Sequence, residues 1–253
     1  CHMGPWYNFY FPKADIDDMI YDADIIGIDK LCIAPHASIS CNYRLGNRMV
    51  AKAAEKYPER VYALLTLNAN KPEEIQEEFD EFYSSRHFIG VKLHPALHGY
   101  SIVEENCLAI FEKVRIYGGY ILCHTWDRCE GCSLELCETV IKEYPEIPFI
   151  IGHSGGLKKG IEKAVKLANT YENAYIDTSG FEFSNTWIEE IVCLTDNTKI
   201  LFGSDYPFHD LRGGISRILF ANIDDDAKKR ILSENFYAMV SKLPKNLTNK
   251  LKP

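Results

Sequence analysis

The chain predicts an α/β fold, a (β/α)8 barrel of the TIM type, on three observations. Seven short apolar runs, starting at Leu31, Val61, Phe88, Tyr120, Phe149, Tyr175 and Ile200, alternate with stretches of helical periodicity, the pattern of a parallel sheet covered by helices. Four of these segments stop on a residue able to bind metal or move a proton: Phe88-Ile-Gly-Val-Lys92-Leu-His94, Tyr120-Ile-Leu-Cys-His124, Pro148-Phe-Ile-Ile-Gly-His153 and Ile200-Leu-Phe-Gly-Ser-Asp205. The spacing is regular: 30 residues from His94 to His124 and 29 from His124 to His153, with Asp177 dividing the next 52 into 24 and 28. A barrel of about 250 residues repeats every ~31, and its carboxyl-terminal strand ends carry the active site.

The elements follow in order. A helical segment over 15–25 requires a strand before it, so Cys1-His-Met-Gly4 is expected to be the tail of the first strand. Most of that strand would precede Cys1, as an apolar run of about four to eight residues ending in His. Leu31-Cys-Ile-Ala34 leads to a helix around 47–56, and Val61 to Leu67 leads to one over 72–82. The next four strands precede helices at 103–117, 133–144, 157–171 and 186–194, and a helix over 224–243 closes the pattern.

With 253 residues, 46% of them hydrophobic, and no Ser/Gly/Pro-rich linker, residues 1–253 are expected to form one domain. A net charge of -8 without a Lys/Arg cluster argues against nucleic-acid or anionic-membrane partners. A small-molecule partner remains, with homo-oligomerisation left open. No apolar run approaches the ~20 residues of a membrane span, and no secretory signal is visible, which makes the cytoplasm the default expectation. Nine cysteines, an odd number, lack the density of a disulfide scaffold, and reduced thiols are expected.

The pieces His2-Met-Gly4, Gly90-Val-Lys-Leu-His-Pro95, Cys123-His-Thr125, Gly152-His-Ser-Gly-Gly156, Tyr175-Ile-Asp-Thr-Ser-Gly180 and Gly203-Ser-Asp-Tyr-Pro207 together resemble the amidohydrolase-related family. Its members are TIM-barrel metal enzymes, and they include the aminocarboxymuconate-semialdehyde decarboxylase-like branch. The resemblance runs through nearly the whole chain, in the correct order.

The resemblance implies one divalent metal ion, zinc being expected, bound by His2, His124 and Asp205. A further histidine immediately before Cys1 would complete the family's His-x-His pair. The alternative for His2-Met3 is a vector-derived pair of the Ser-His-Met kind. An isolated strand-end histidine is more often a packed core or rim residue, and an isolated aspartate there as often caps a helix; the ordered series favours the family roles. Neutral imidazole suits a borderline cation, and three protein ligands with an open position make a catalytic site.

By the same resemblance Asp205 also takes a proton from bound water, and His153 acts as an acid or base, or as a ligand where two metals are present. Lys92 and His94 share a strand face and are expected to bind substrate, as is Trp126; in two-metal relatives Lys92 would instead be carboxylated. Asp177 is expected to support its neighbours through hydrogen bonds. His36, Arg44, His98, Tyr100 and His209 are either pocket-shaping or solvated rim residues. Cys129-Glu-Gly-Cys132, with Cys137 beyond, is weighed as a small metal or redox site, against which the lack of a second pair counts.

The expected activity is metal-dependent hydrolysis of a small ester, lactone or amide through a metal-activated water. Decarboxylation of a conjugated or aromatic acid is the alternative, and a barrel that has lost catalysis is a further one.

Overall fold

The computed structural model describes residues 1–83, 85, 87–180, 184–244 and 247. Its framework is β1 (Leu31–Ile33), β2 (Val61–Thr66), β3 (Phe88–Leu93), β4 (Tyr120–His124), β5 (Phe149–Gly152), β6 (Ala174–Asp177) and β7 (Ile200–Leu201), at all seven expected places. The strands pair in sequence order and every pairing is parallel. Register aligns Leu93 with Cys123 and His124 with Gly152. The residues that follow these strands therefore emerge side by side at one rim.

The helices are α1 (Ile16–Ile26), α2 (His36–Ser40), α3 (Tyr43–Lys56), α4 (Pro72–Glu78), α5 (Pro95–His98), α6 (Glu105–Tyr117), α7 (Leu134–Glu143), α8 (Lys158–Thr170), α9 (Asn185–Leu194), α10 (Leu211–Leu219), α11 (Asp225–Lys229) and α12 (Asn235–Ser241). Their starts are written in the sequence. Asp15, Asn42, Ser133, Ser184, Asp210 and Asp224 each accept a first-turn backbone N–H of the helix they precede, which satisfies donors that otherwise lack a partner. α8 buries Ile161, Ala164, Val165 and Ala168, one stripe of a 3.6-residue period.

Alternation along β2 divides the core in two. Val61, Ala63 and Leu65 face the helical layer, whereas Tyr62 and Leu64 join Ile89, Tyr120, Ile150, Tyr175 and Leu201 inside the barrel. This is the period-two geometry of a strand buried on both faces.

α10 lies outside the expected helices: Gly213-Gly214 lowers helix propensity in its middle, and the Asp210 cap and burial of Leu211, Gly214 and Ile218 override that. The helix expected over 224–243 runs without a break through 225–241, with a π-helical turn at Arg230–Glu234 between α11 and α12.

Among the described residues β1 and β7 do not pair directly. At their carboxyl ends residues 1–3 lie between them. Ala34 and His36 donate backbone N–H groups to Cys1 and Met3 at 3.1 and 2.9 Å, and His2 donates to Tyr206 at 2.7 Å on the opposite side. The segment expected to be a strand tail thus occupies a strand position, with hydrogen bonds to both neighbours. Beneath it a cavity of about 440 Å³ enters the barrel.

Side-chain amides brace the lower rim. Asn173 Nδ2 reaches the carbonyls of Ile141, Tyr144 and Ile147 at 3.0, 2.9 and 3.2 Å, joining the end of α7 to the start of β6. Asn173→Ala should lower unfolding stability by about 1–3 kcal/mol, the cost of leaving buried acceptors unpaired. Urea midpoints test this, and a loss no larger than that of the exposed control Glu143→Ala would show that the bracing is dispensable.

Candidate active site

The turn after β5 carries the least ordinary backbone of the rim. His153 and Ser154 have φ of 60° and 47°, left-handed values that cost a non-glycine residue on the order of 1–3 kcal/mol each unless the surroundings impose them. Asp177, at the end of β6, imposes them. Its Oδ1 accepts His153 N at 2.8 Å, Ser179 N at 3.1 Å and Ser179 Oγ at 2.7 Å, while its carbonyl accepts Ser154 Oγ at 2.5 Å. From β4, Thr125 Oγ1 donates to Gly152 O at 2.7 Å and accepts Gly155 N at 3.1 Å.

This network sets the His153 tautomer. Ser179 Oγ lies 3.1 Å from His153 Nδ1, but the single hydroxyl proton is committed to the Asp177 carboxylate. Ser179 must therefore accept, and His153 must donate from Nδ1. Its Nε2 is left to exchange protons. His153, Asp177 and Ser179 all line the cavity.

Asp205 follows β7 with φ of 54°. Its Oδ1 sits 3.0 Å from His2 Nε2 and its Oδ2 3.8 Å from His209 Nε2. Burial alone would raise the Asp205 pKa, but the His2 hydrogen bond and the field of His153 outweigh it and hold the carboxyl well below its usual range. Burial, opposed by Asp205, lowers the pKa of His2.

His2 Nδ1 is 2.7 Å from Ala34 O. A carbonyl only accepts, so the proton is on Nδ1. In neutral His2 the Nε2 lone pair then faces an ionised carboxylate oxygen, and two acceptors in contact require a positive charge shared between them. A proton can supply it, and so can a metal cation; the donor set of imidazole nitrogen and carboxylate oxygen fits a divalent ion.

The remaining candidates form an adjacent stack. His94 and His124 rings lie 4.0 Å apart at 12°, His124 meets His153 edge-on at 4.8 Å, and Trp126 lies 6.5 Å from His124 and 6.0 Å from His153. His94 Nδ1 also caps α5 by accepting Leu97 N at 3.3 Å. Burial, then neighbouring positive charge, pushes the pKa of His94 and of His124 well below the usual value, so both rings are neutral. The Trp126 indole packs on Gly156, where a Cβ would come within 2.6 Å of the ring.

Lys92 is 3% exposed and lines the cavity. Burial lowers its pKa against the opposing pull of Asp205. The fold thus joins His2 to Asp205 and brings Lys92 and His153 to the same cavity, with His94, His124 and Trp126 reaching it through His153. Among the described residues no three His, Cys, Asp or Glu side chains form a group able to hold a metal ion.

Other expectations divide. His36 opens α2 and stacks on His2 at 5.2 Å; burial first, then the charge of His2, lowers its pKa to about 3. Arg44 is on α3, not at the rim, where its Nε pairs with buried Glu78 at 2.8 Å. Ser179 and Thr125 stand inside two of the motif pieces, each within two residues of a strand end, but a hydroxyl gains a role only from the partners the fold gives it.

Ser179→Ala should leave the fold intact, with a loss of about 1–2 kcal/mol, and release the His153 ring from its tautomer. Nitrogen chemical shifts of labelled histidine report this directly. An unchanged Nδ1–H form at His153 would show that Ser179 does not set it.

A family model described as amidohydrolase matches residues 34–239. Among curated proteins no match was found. Solved structures similar in fold include 2,6-dihydroxybenzoate decarboxylase from Rhizobium, at TM-score 0.73 and 18% identity, over 89% of this chain and 88% of that one. The 5-carboxyvanillate decarboxylase from Sphingomonas paucimobilis gives 0.69 and 15%, over 88% and 82%. A dihydroxybenzoic acid decarboxylase from Polaromonas, with bound manganese and the inhibitor 2-nitroresorcinol, gives 0.70 and 16%, over 91% and 87%. With four-fifths of its length matched by that model on a parallel (β/α) barrel, this chain belongs to the amidohydrolase family of enzymes.

Proposed function

We propose that the chain is a metal-dependent carboxy-lyase that removes carbon dioxide from an aromatic or conjugated acid. The observation that carries this reading is Lys92, a buried cation at a cavity whose walls include Tyr62, Leu64, Tyr120, Leu122 and Ile150. Among the described residues it has no hydrogen-bond or ion-pair partner of its own. An apolar slot with one buried positive charge and proton-transfer groups beside it complements a flat organic anion. The similar aromatic-acid decarboxylases support the same choice.

His2 and Asp205 would hold one divalent ion, zinc or manganese; His124, expected as a third ligand, stacks on His94 and among the described residues forms no three-residue group with them. Bound there, the ion supplies positive charge to an anionic oxygen of the substrate. Lys92 pairs with the substrate carboxylate or a neighbouring phenolic oxygen. His153 gives its Nε2 proton to the carbon bearing the carboxylate as the carbon–carbon bond breaks and carbon dioxide leaves. The Asp177–Ser179 pair supports the imidazolium form that donates, and Trp126 screens the ring from solvent. His94 braces the stack against which the substrate lies.

Hydrolysis of a lactone, ester or amide is the second reading, favoured by one observation: Asp205 is ionised beside His153 and can take a proton from water. A panel of hydroxylated benzoates and lactones decides, with carbon dioxide release and product chromatography as readouts on metal-loaded protein. Lactone opening without carbon dioxide release from any acid would overturn the carboxy-lyase reading.

Two variants test the residues. Asp205→Asn should abolish turnover, with a decreased metal content by elemental analysis. His153→Ala should lower turnover by roughly 10² to 10⁴ with metal content retained, the usual scale of general acid or base catalysis. Loss of metal from the His153 variant would make that residue a ligand instead.

A further inference from the structure

The loop leaving β4, which carries Trp126, also holds a second arrangement that takes no direct part in the proposed reaction. Cys129 and Cys132 place their sulfurs 2.9 Å apart, inside ordinary van der Waals contact and less than 1 Å beyond the ~2.05 Å of a disulfide bond. Both are free thiols. The backbone fixes this approach: Cys129 N donates to Trp126 O at 3.0 Å, and Cys132 N lies 3.4 Å from Cys129 O. Between them Gly131 O accepts Ile102 N at 2.9 Å, and a Cβ at Gly131 would come within 2.3 Å of Tyr100 O. Pinned at both ends and in the middle, the loop keeps its two sulfurs together.

A metal fits this place less well. Cys137, the next thiol, directs its sulfur at Cys132 O, 3.8 Å away, and among the described residues no third ligand joins the pair.

We propose that Cys129 and Cys132 form a reversible dithiol–disulfide site whose state controls the freedom of the loop carrying Trp126. The oxidant is a small disulfide of the oxidised glutathione class. Cys129, half-buried and reachable from solvent, attacks as thiolate; a sulfur–sulfur bond forms to one glutathione and the other leaves as thiolate. Cys132 attacks the Cys129 sulfur, the internal disulfide forms, and the second glutathione leaves as a thiolate that takes up the Cys132 proton. Two electrons pass from the protein to the reagent, which becomes two thiols. Burial pushes the Cys132 thiol up, consistent with its acting second. The short ring closed by the bond begins one turn from Trp126, and the Cys129 N to Trp126 O hydrogen bond carries the constraint to the indole packed on Gly156.

The test equilibrates the full chain with glutathione buffers of rising oxidised fraction, blocks residual thiols by alkylation and maps the peptides. Cys129 and Cys132 should leave the alkylated pool together as one internal disulfide, and dithiothreitol should restore them. In a Trp6→Phe, Trp187→Phe background the Trp126 fluorescence should shift with the same midpoint, and Cys129→Ser should abolish the shift. Cys132→Ala should trap glutathione on Cys129; if that variant does not fold, the Cys129→Ser comparison decides. Full alkylation of the pair in buffers where exposed Cys41 and Cys193 have already taken up glutathione would overturn the proposal. So would a disulfide from Cys132 to Cys137, or an internal disulfide that leaves Trp126 fluorescence unchanged.

Discussion

Parallel pairing from β1 to β7 makes every strand end on the same side of the sheet, and the whole candidate site depends on that constraint. His94, His124, His153, Asp177 and Asp205 are far apart in sequence, yet each follows or ends a strand whose register is locked to its neighbours. A slip of one residue in any strand would turn its apolar interior set outward. The packing that excludes such a slip is what brings the polar residues to one rim.

At that rim a few buried acceptors do most of the organising. Asp177 Oδ1 collects three donors, and through them it sustains two left-handed residues and one histidine tautomer. The strain at His153, Ser154 and Asp205 falls on the turns that present proton-transfer groups, the usual place for backbone outliers held by their surroundings. Across the barrel, the His2–Asp205 contact sets a ring nitrogen against a carboxylate oxygen, two acceptors whenever the imidazole is neutral. An arrangement of that kind is unfavourable when empty of positive charge and favourable when it holds one.

Burial supplies the electrostatic background for both. It drives His94 and His124 neutral and lowers the Lys92 pKa, so the field in the cavity is decided by the few groups that retain charge. Asp205 retains it because opposing partners outweigh its desolvation. Nearby, the Cys129–Cys132 pair lies on the loop after β4, which does not contribute to the cavity walls.

Sequence alone determined the fold class, the seven strand positions and most helix starts, because apolar periodicity and capping residues are local and survive in a one-dimensional reading. It also placed Lys92, His94, His124, His153 and Asp205 at strand ends. Tertiary structure decided the rest. α10 forms despite Gly213-Gly214 because burial of Leu211 and Ile218 outweighs local propensity. Arg44 leaves the site because Glu78 of another helix claims it. Ser179 enters the site because an aspartate and a histidine reach its one hydroxyl from two strands. A hydrogen bond or an ion pair needs two partners within about 3–4 Å, and for residues tens of positions apart only the folded chain supplies that distance.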